Sequence, residues 1–152
     1  MLMKMVRNTS ASNSTLIYSD IEIHIAVNRT KRPEMGRVAA SHADFAYLTD
    51  EDPRLEDRDS IIAEIAAGAV EAGAREGEGF ARIPDRREAV RAAIRAARRG
   101  DVVVLAGKGH ETSIDGALSG RAHSVAWDEV GEAREALRIA GYGRPAAGKQ
   151  VS

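Results

Sequence analysis

Not one of the 152 residues is cysteine. A disulfide framework, a thiolate metal site and a thiol nucleophile are therefore excluded, and the composition is compatible with a reducing cytoplasm. An excess of either charge is missing as well: 22 Lys and Arg against 23 Asp and Glu leave a formal net charge of -1. That balance gives no overall attraction to nucleic acid or to an anionic membrane. No apolar run approaches the roughly 20 residues of a spanning helix, and the opening Met1-Leu2-Met3-Lys4 lacks the long apolar core of a signal peptide. The expectation is a soluble, cytoplasmic protein without nucleic-acid or membrane partners.

Several catalytic signatures are also absent. His24, His42, His110 and His123 are scattered, with no HExxH or comparable pair, so no metal centre is expected. No GxSxG elbow presents a nucleophilic serine, and no EF-hand loop is found. "GKGHE", residues 107 to 111, is not a P-loop, because the glycine spacing is wrong and no Ser or Thr follows the lysine.

What the chain does have is alternation of strand-like and helix-like segments. Ile21 to Val27 is a short β-branched run interrupted by Glu22 and His24, which predicts a strand with one less buried face. A helix is expected around Pro33, with Met35, Val38, Ala39 and His42 on one side. Phe45 to Thr49 reads as a strand, and Ile61, Ile62, Ile65, Ala66 and Ala69 recur at helical spacing from Asp59 to about Gly73. A strand at Phe80 to Ile83 and a helix between Pro84 and Gly100 follow. Val102 to Ala106 is continuously aliphatic, which predicts a strand buried on both faces, and Asp128 to Ile139 reads as a last helix.

The economical architecture is α/β: a doubly wound, mostly parallel sheet in a single domain, with ligands beyond the carboxyl ends of the strands. Residues 1-15 and 141-152 lack periodicity and are expected to be poorly ordered, leaving residues 16-140 as the folded unit. A chain of this size buries roughly two thirds of its unfolded surface, enough for one ordinary core.

In such a sheet "DEDPR", residues 50 to 54, and "GKGHE" lie on the same edge. Gly107 and Gly109 let backbone approach a ligand, Glu111 offers a carboxylate to an ammonium group, and Lys108 offers a cation to an anion. Arg54 can fork onto a carboxylate while Asp52 accepts from an amine, so the two loops together suit a zwitterion or a nucleotide. The competing reading is structural: the glycines only shape a turn, the acidic loop caps the next helix, and Arg54 pairs with Glu56 or Asp57. Trp127 is expected to pack at the core or a helix edge.

Three stretches in order, "KRPEMGRVAASHADFAYLTDEDPRLEDRDSIIAEIAAG", "IPDRREAVRAAIRAARRGDVVVLAGKGHE" and "WDEVGEAREAL", resemble the C-terminal domain of the Mur ligases. The resemblance runs from about Thr30 to Ile139 and is strongest to the UDP-N-acetylmuramoyl-tripeptide synthetase branch. It implies a Rossmann-like unit that helps to recognise an amino acid in peptidoglycan precursor synthesis. In the complete enzyme, with ATP and Mg²⁺ as cofactors, the precursor's carboxylate is phosphorylated and the amine of the incoming amino acid attacks the acyl phosphate.

Carried over by position, Glu51, Asp52, Pro53 and Arg54 match the family's amino-acid recognition motif, and Gly107 and Glu111 match its second contact loop. Arg29 stands where the family has an arginine on the amino acid, within a segment, "AVNRTKRP", that is shorter than usual and lacks the family's glycines. Lys31, Arg32, Lys108 and His110 are implied to face the nucleotide. The resemblance assigns no catalytic residue and no metal ligand to this domain. The usual motif for diaminopimelate has asparagine in place of Asp52, so diaminopimelate, lysine and ornithine all stay open as the amino-acid partner.

The other partner would be UDP-N-acetylmuramoyl-dipeptide, held through other domains. No GTxGKT loop occurs in these residues, so the chain alone is expected to ligate nothing. A stand-alone relic binding or interaction module without catalysis is the alternative. A related ligase making folylpolyglutamate or cyanophycin is a further one, against which "GKGHE" after "DEDPR" argues.

Overall fold

Aspartates mark where three of the helices begin. In the computed structural model, which describes residues 2-6, 30-50, 52-118 and 121-142, Asp57, Asp85 and Asp128 each accept a hydrogen bond from the backbone N–H three residues on. Each satisfies a donor that the first helical turn leaves unpaired. The helices that follow are α2 (Arg58–Glu71), α3 (Arg86–Ala96) and α4 (Glu129–Ile139). Helix α1 (Lys31–His42) starts without a side-chain cap.

The strands are β1 (Leu2–Val6), β2 (Phe45–Leu48), β3 (Phe80–Arg82), β4 (Val102–Leu105), β5 (Ser113–Leu118) and β6 (Arg121–Ala126). The first four form one sheet in the order β3-β2-β1-β4, and β5 and β6 form a separate antiparallel ribbon. Strands β2 and β3 are parallel, whereas β1 runs antiparallel to both β2 and β4. It follows that β2, β3 and β4 point the same way and present their carboxyl ends on one edge.

This is a mixed helix and strand fold with a parallel component. The antiparallel β1 is a departure from the expected pattern, and it lies within the opening segment read from sequence as poorly ordered. The strand predicted at Ile21 to Val27 lies outside the described residues.

Strand β2 is the buried one, and its alternation divides the core. Ala46 and Leu48 pack with Met35, Ile62, Ile65 and Phe80 from α1, α2 and β3. Tyr47 points the other way, into a cluster with Val90, Ala93, Ile94 and Ala136 from α3 and α4. Successive strand residues face opposite sides, so one short strand supplies both layers.

Strand β4 corrects the sequence reading. Val103 and Leu105 join the α3 and α4 cluster, but Val102 and Val104 remain 48% and 41% exposed. An aliphatic run specifies a strand without guaranteeing a cover for each face, and β4 closes the sheet at its edge.

Helices α1 and α2 meet through glycines. A Cβ on Gly36 would lie 1.9 Å from the Ile65 carbonyl oxygen, and one on Gly68 would lie 1.8 Å from that of Pro33. Only a residue without a side chain allows backbones this close.

Candidate functional site

Both loops singled out in the sequence emerge from the shared edge. The first leaves β2 through Thr49 and Asp50, whose backbone is tied down: the Asp50 N–H donates to the Pro84 carbonyl at 3.2 Å. The Thr49 hydroxyl donates to the same oxygen at 3.2 Å and Arg58 donates to it at 3.0 Å. Asp50 is buried and paired with Arg58. Burial pushes its carboxyl above the usual carboxylate range, and the Arg58 partner only partly restores it.

The second loop leaves β4 at Ala106 and turns at Gly107, whose φ of 110° lies where a side chain is strained. The turn sends Lys108 inward. Its Nζ sits 2.7 Å from Asp52 Oδ1 and 2.6 Å from Glu111 Oε2, with only 2% of the residue exposed. Desolvation pulls the ammonium down, but the hydrogen bonds it donates to Asp52 and Glu111 outweigh it and hold the group above its ordinary value.

A third piece completes the corner. Asp52 Oδ1 also accepts the Asp115 N–H at 2.8 Å, and the Arg54 N–H donates to the Asp115 carbonyl at 2.9 Å. Strand β5 thus docks on the first loop, with Pro53 against Gly116. Arg54 has φ of 52°, in the left-handed region that few non-glycine residues adopt, and its side chain is exposed. The local pairing weighed for it is taken up elsewhere: Glu56 binds Arg32 and Asp57 caps α2 at Ser60.

The structure therefore brings together Asp52, Pro53, Arg54, Gly107, Lys108 and Glu111. Glu51 and Arg29 lie outside the described residues. Of the residues read as facing a nucleotide, Lys31 and His110 are exposed. Arg32 and Lys108 have another occupation. Arg32 is buried, with Glu56 at 3.0 Å and Glu64 at 2.9 Å, and Lys108 is enclosed by its two carboxylates. Neither offers a free cation to a phosphate, and the charge that would recruit one is already neutralised.

Among the described residues no group of three or more His, Cys, Asp and Glu is placed to hold a metal ion. His42 contacts its own helix at the Val38 carbonyl, 3.0 Å away, and His123 is exposed on the ribbon.

Sequence reasoning missed Asp115, Arg86 and Glu129. The two β-rich runs flanking Ser119-Gly120 were a hairpin signal that would have placed Asp115. No such signal marks the other two. Arg86, at the start of α3, is 3% exposed and forks onto the Glu129 carboxylate, with its Nε 3.0 Å from Oε2. It also donates to the carbonyls of Asp50 and Ala106, each at 3.2 Å. Trp127 packs as expected: the Arg86 and Arg87 guanidinium carbons lie 6.0 and 5.8 Å from its ring centre, and its indole N–H donates to Glu129 at 2.6 Å.

Chemically, the corner carries two anions, Asp52 and Glu111, and two cations, Lys108 and Arg54. Only Lys108 is buried; Arg54 and Glu111 are exposed, and the Glu111 carboxylate is tied to Lys108 at 2.6 Å.

The chain is similar to known proteins over most of this region. Residues 10-109 match the family model described as Mur ligase, glutamate ligase domain. A UDP-N-acetylmuramyl-tripeptide synthetase of Roseiflexus is 54% identical over 116 residues, which is 76% of this chain and 22% of that protein. A UDP-N-acetylmuramoyl-L-alanyl-D-glutamate--2,6-diaminopimelate ligase of Syntrophomonas wolfei is 52% identical over 84 residues, covering 55% of this chain and 17% of that one. A solved structure of a ligase of the same description superposes with a TM-score of 0.60 at 36% identity, over 74% of this chain and 21% of that one. The chain thus spans about a fifth of the length of the relatives it matches.

Proposed function

Since this chain belongs to the Mur ligase family, in its glutamate ligase domain, we propose that it is the amino-acid-recognising C-terminal portion of an ATP-dependent ligase. That ligase adds a diamino acid to UDP-N-acetylmuramoyl-dipeptide in the cytoplasm. The observation that carries this reading is the meeting of Asp52 with Lys108 and Glu111, which joins the two recognition loops into one corner. The names of the relatives, which specify 2,6-diaminopimelate or a tripeptide product, support the substrate class. A Rossmann-like, doubly wound arrangement belongs to the same reading, supported by helices on both sides of β2.

In this role Arg54 grips a carboxylate of the incoming amino acid and Glu111 accepts from its ammonium group, and the family motif assigns Glu51 and Arg29 to the same task. Lys108 neutralises Asp52 and aims Glu111, so it shapes the pocket from beneath. Holding the amino acid in one orientation lowers the entropic part of the barrier to attack by its amine. ATP and Mg²⁺ would supply carboxylate activation in the complete ligase. Arg32 and Lys108, being buried and paired, do not fit a phosphate contact, and Lys31 and His110 are the exposed candidates.

Calorimetry of the purified chain with diaminopimelate, lysine and ornithine tests the reading. One of the three is expected to bind in preference, and Arg54→Ala is expected to weaken that binding by about tenfold or more. Mixing the chain with a cognate N-terminal and central portion is expected to give ligase activity that the chain alone lacks. Equal indifference to all three amino acids, with folding intact, would leave a module without this role.

A further inference from the structure

We propose that Arg86 is a positioning residue that sets the separation of the two recognition loops from below, by gripping the backbone where each begins. Its guanidinium donates to the Asp50 carbonyl, immediately before Glu51 to Arg54, and to the Ala106 carbonyl, immediately before Gly107 to Glu111. These loops leave β2 and β4, which are separated in the sheet by β1 and share no ladder hydrogen bonds. One side chain supplies the link that the sheet does not.

The far end of the second loop reaches the same cluster. The Trp127 N–H donates to the Thr112 carbonyl at 2.8 Å, and the Trp127 indole donates to Glu129 Oε2, the oxygen that also receives Arg86 Nε. Gly107 to Glu111 is thus held at entry by Arg86 and at exit by Trp127, with Glu129 between the two anchors. The exit of the first loop is held by Asp115, on the ribbon whose last strand runs into Trp127.

The chemistry of the fork explains the choice of residue. A guanidinium presents five donors in a fixed plane and reaches two carbonyls and a carboxylate at once, whereas an ammonium is a point donor. A buried Arg–Glu pair contributes little net stability compared with apolar packing, so what it supplies here is a fixed distance.

The consequence for ligand binding rests on the function proposed above, whereas the consequence for loop order does not. Amide hydrogen exchange is to be measured on the full chain and on Arg86→Lys. The reporters are the N–H groups of Arg54, Asp115 and Glu111, which bond to Asp115 O, Asp52 Oδ1 and Lys108 O. In the variant all three are expected to lose protection together by about tenfold or more, while Ile65 and Ala69 of α2 keep theirs.

Affinity for the preferred diamino acid should fall by a similar factor in calorimetry. Unchanged reporters, a response in one loop only, or equal loosening of α2 would overturn the proposal. If the wild-type chain binds none of the diamino acids, the functional reading falls while the exchange pattern still decides the role of Arg86. Should Arg86→Lys not fold, Glu129→Gln keeps the shape and an acceptor, and the same pattern is required of it.

Discussion

Asp52 and Lys108 stand 56 residues apart in the sequence and share a 2.7 Å hydrogen bond, with the lysine sealed beneath the loop. Their meeting joins two motifs that the linear order keeps separate. A double-mutant cycle with Asp52→Asn and Lys108→Met, read by urea unfolding, is expected to give a coupling of about 1–3 kcal/mol. Additive losses would mean that the contact contributes nothing to the fold.

The same lysine dictates an alkaline response. Its pKa in the folded state lies above the ordinary value, so the folded chain binds the proton more tightly. Its contribution is fully present below about pH 10.4 and is lost as pH rises through the higher folded value. The stability difference between wild type and Lys108→Met should therefore shrink as pH is raised from about 9 to 12. Tyr47, whose hydroxyl burial pushes up, is common to both chains and cancels in the difference.

At the α1–α2 contact the substitutions of interest are Gly36→Ala and Gly68→Ala. A helical glycine exchanged for alanine normally gains about 1 kcal/mol of propensity. Here the added carbon would strike backbone, and overpacking against atoms that cannot rotate away outweighs that gain. Each variant is expected to lose about 2 kcal/mol or more by thermal or urea unfolding. A more stable variant would show that the helices can part without loss.

Arg54 separates site from scaffold. Its left-handed backbone costs about 1 kcal/mol, which Arg54→Gly relieves while loosening the unfolded chain by a similar amount. Stability should change by less than about 1 kcal/mol. Diamino-acid binding, measured on the same protein, should be lost.

Much of the frame was legible in the residues because local rules govern it. Asp57, Asp85 and Asp128 announce their helices, and the opposite facing of Tyr47 against Ala46 and Leu48 follows from strand geometry. The shared edge of the two loops was legible too. Three features depended on distance. Arg86 finds Glu129 over 43 residues, Lys108 finds Asp52 over 56, and the exposure of Val102 and Val104 depends on the position of β4 in the sheet. Nothing within a few residues of those positions encodes such outcomes. The ribbon of β5 and β6 is a different case, since Ser119-Gly120 between its two strands is a local turn signal.

The reciprocal glycine contact reaches further than the two helices themselves. With no rotamer available at the seam, α1 and α2 have a single seating depth, and that depth fixes where the fork of Arg32 meets Glu56 and Glu64. The helix pair acts as a yardstick for the segment just past Pro53. Sequence drift along this seam would be felt first as a shifted loop, well before it appeared as a lost fold.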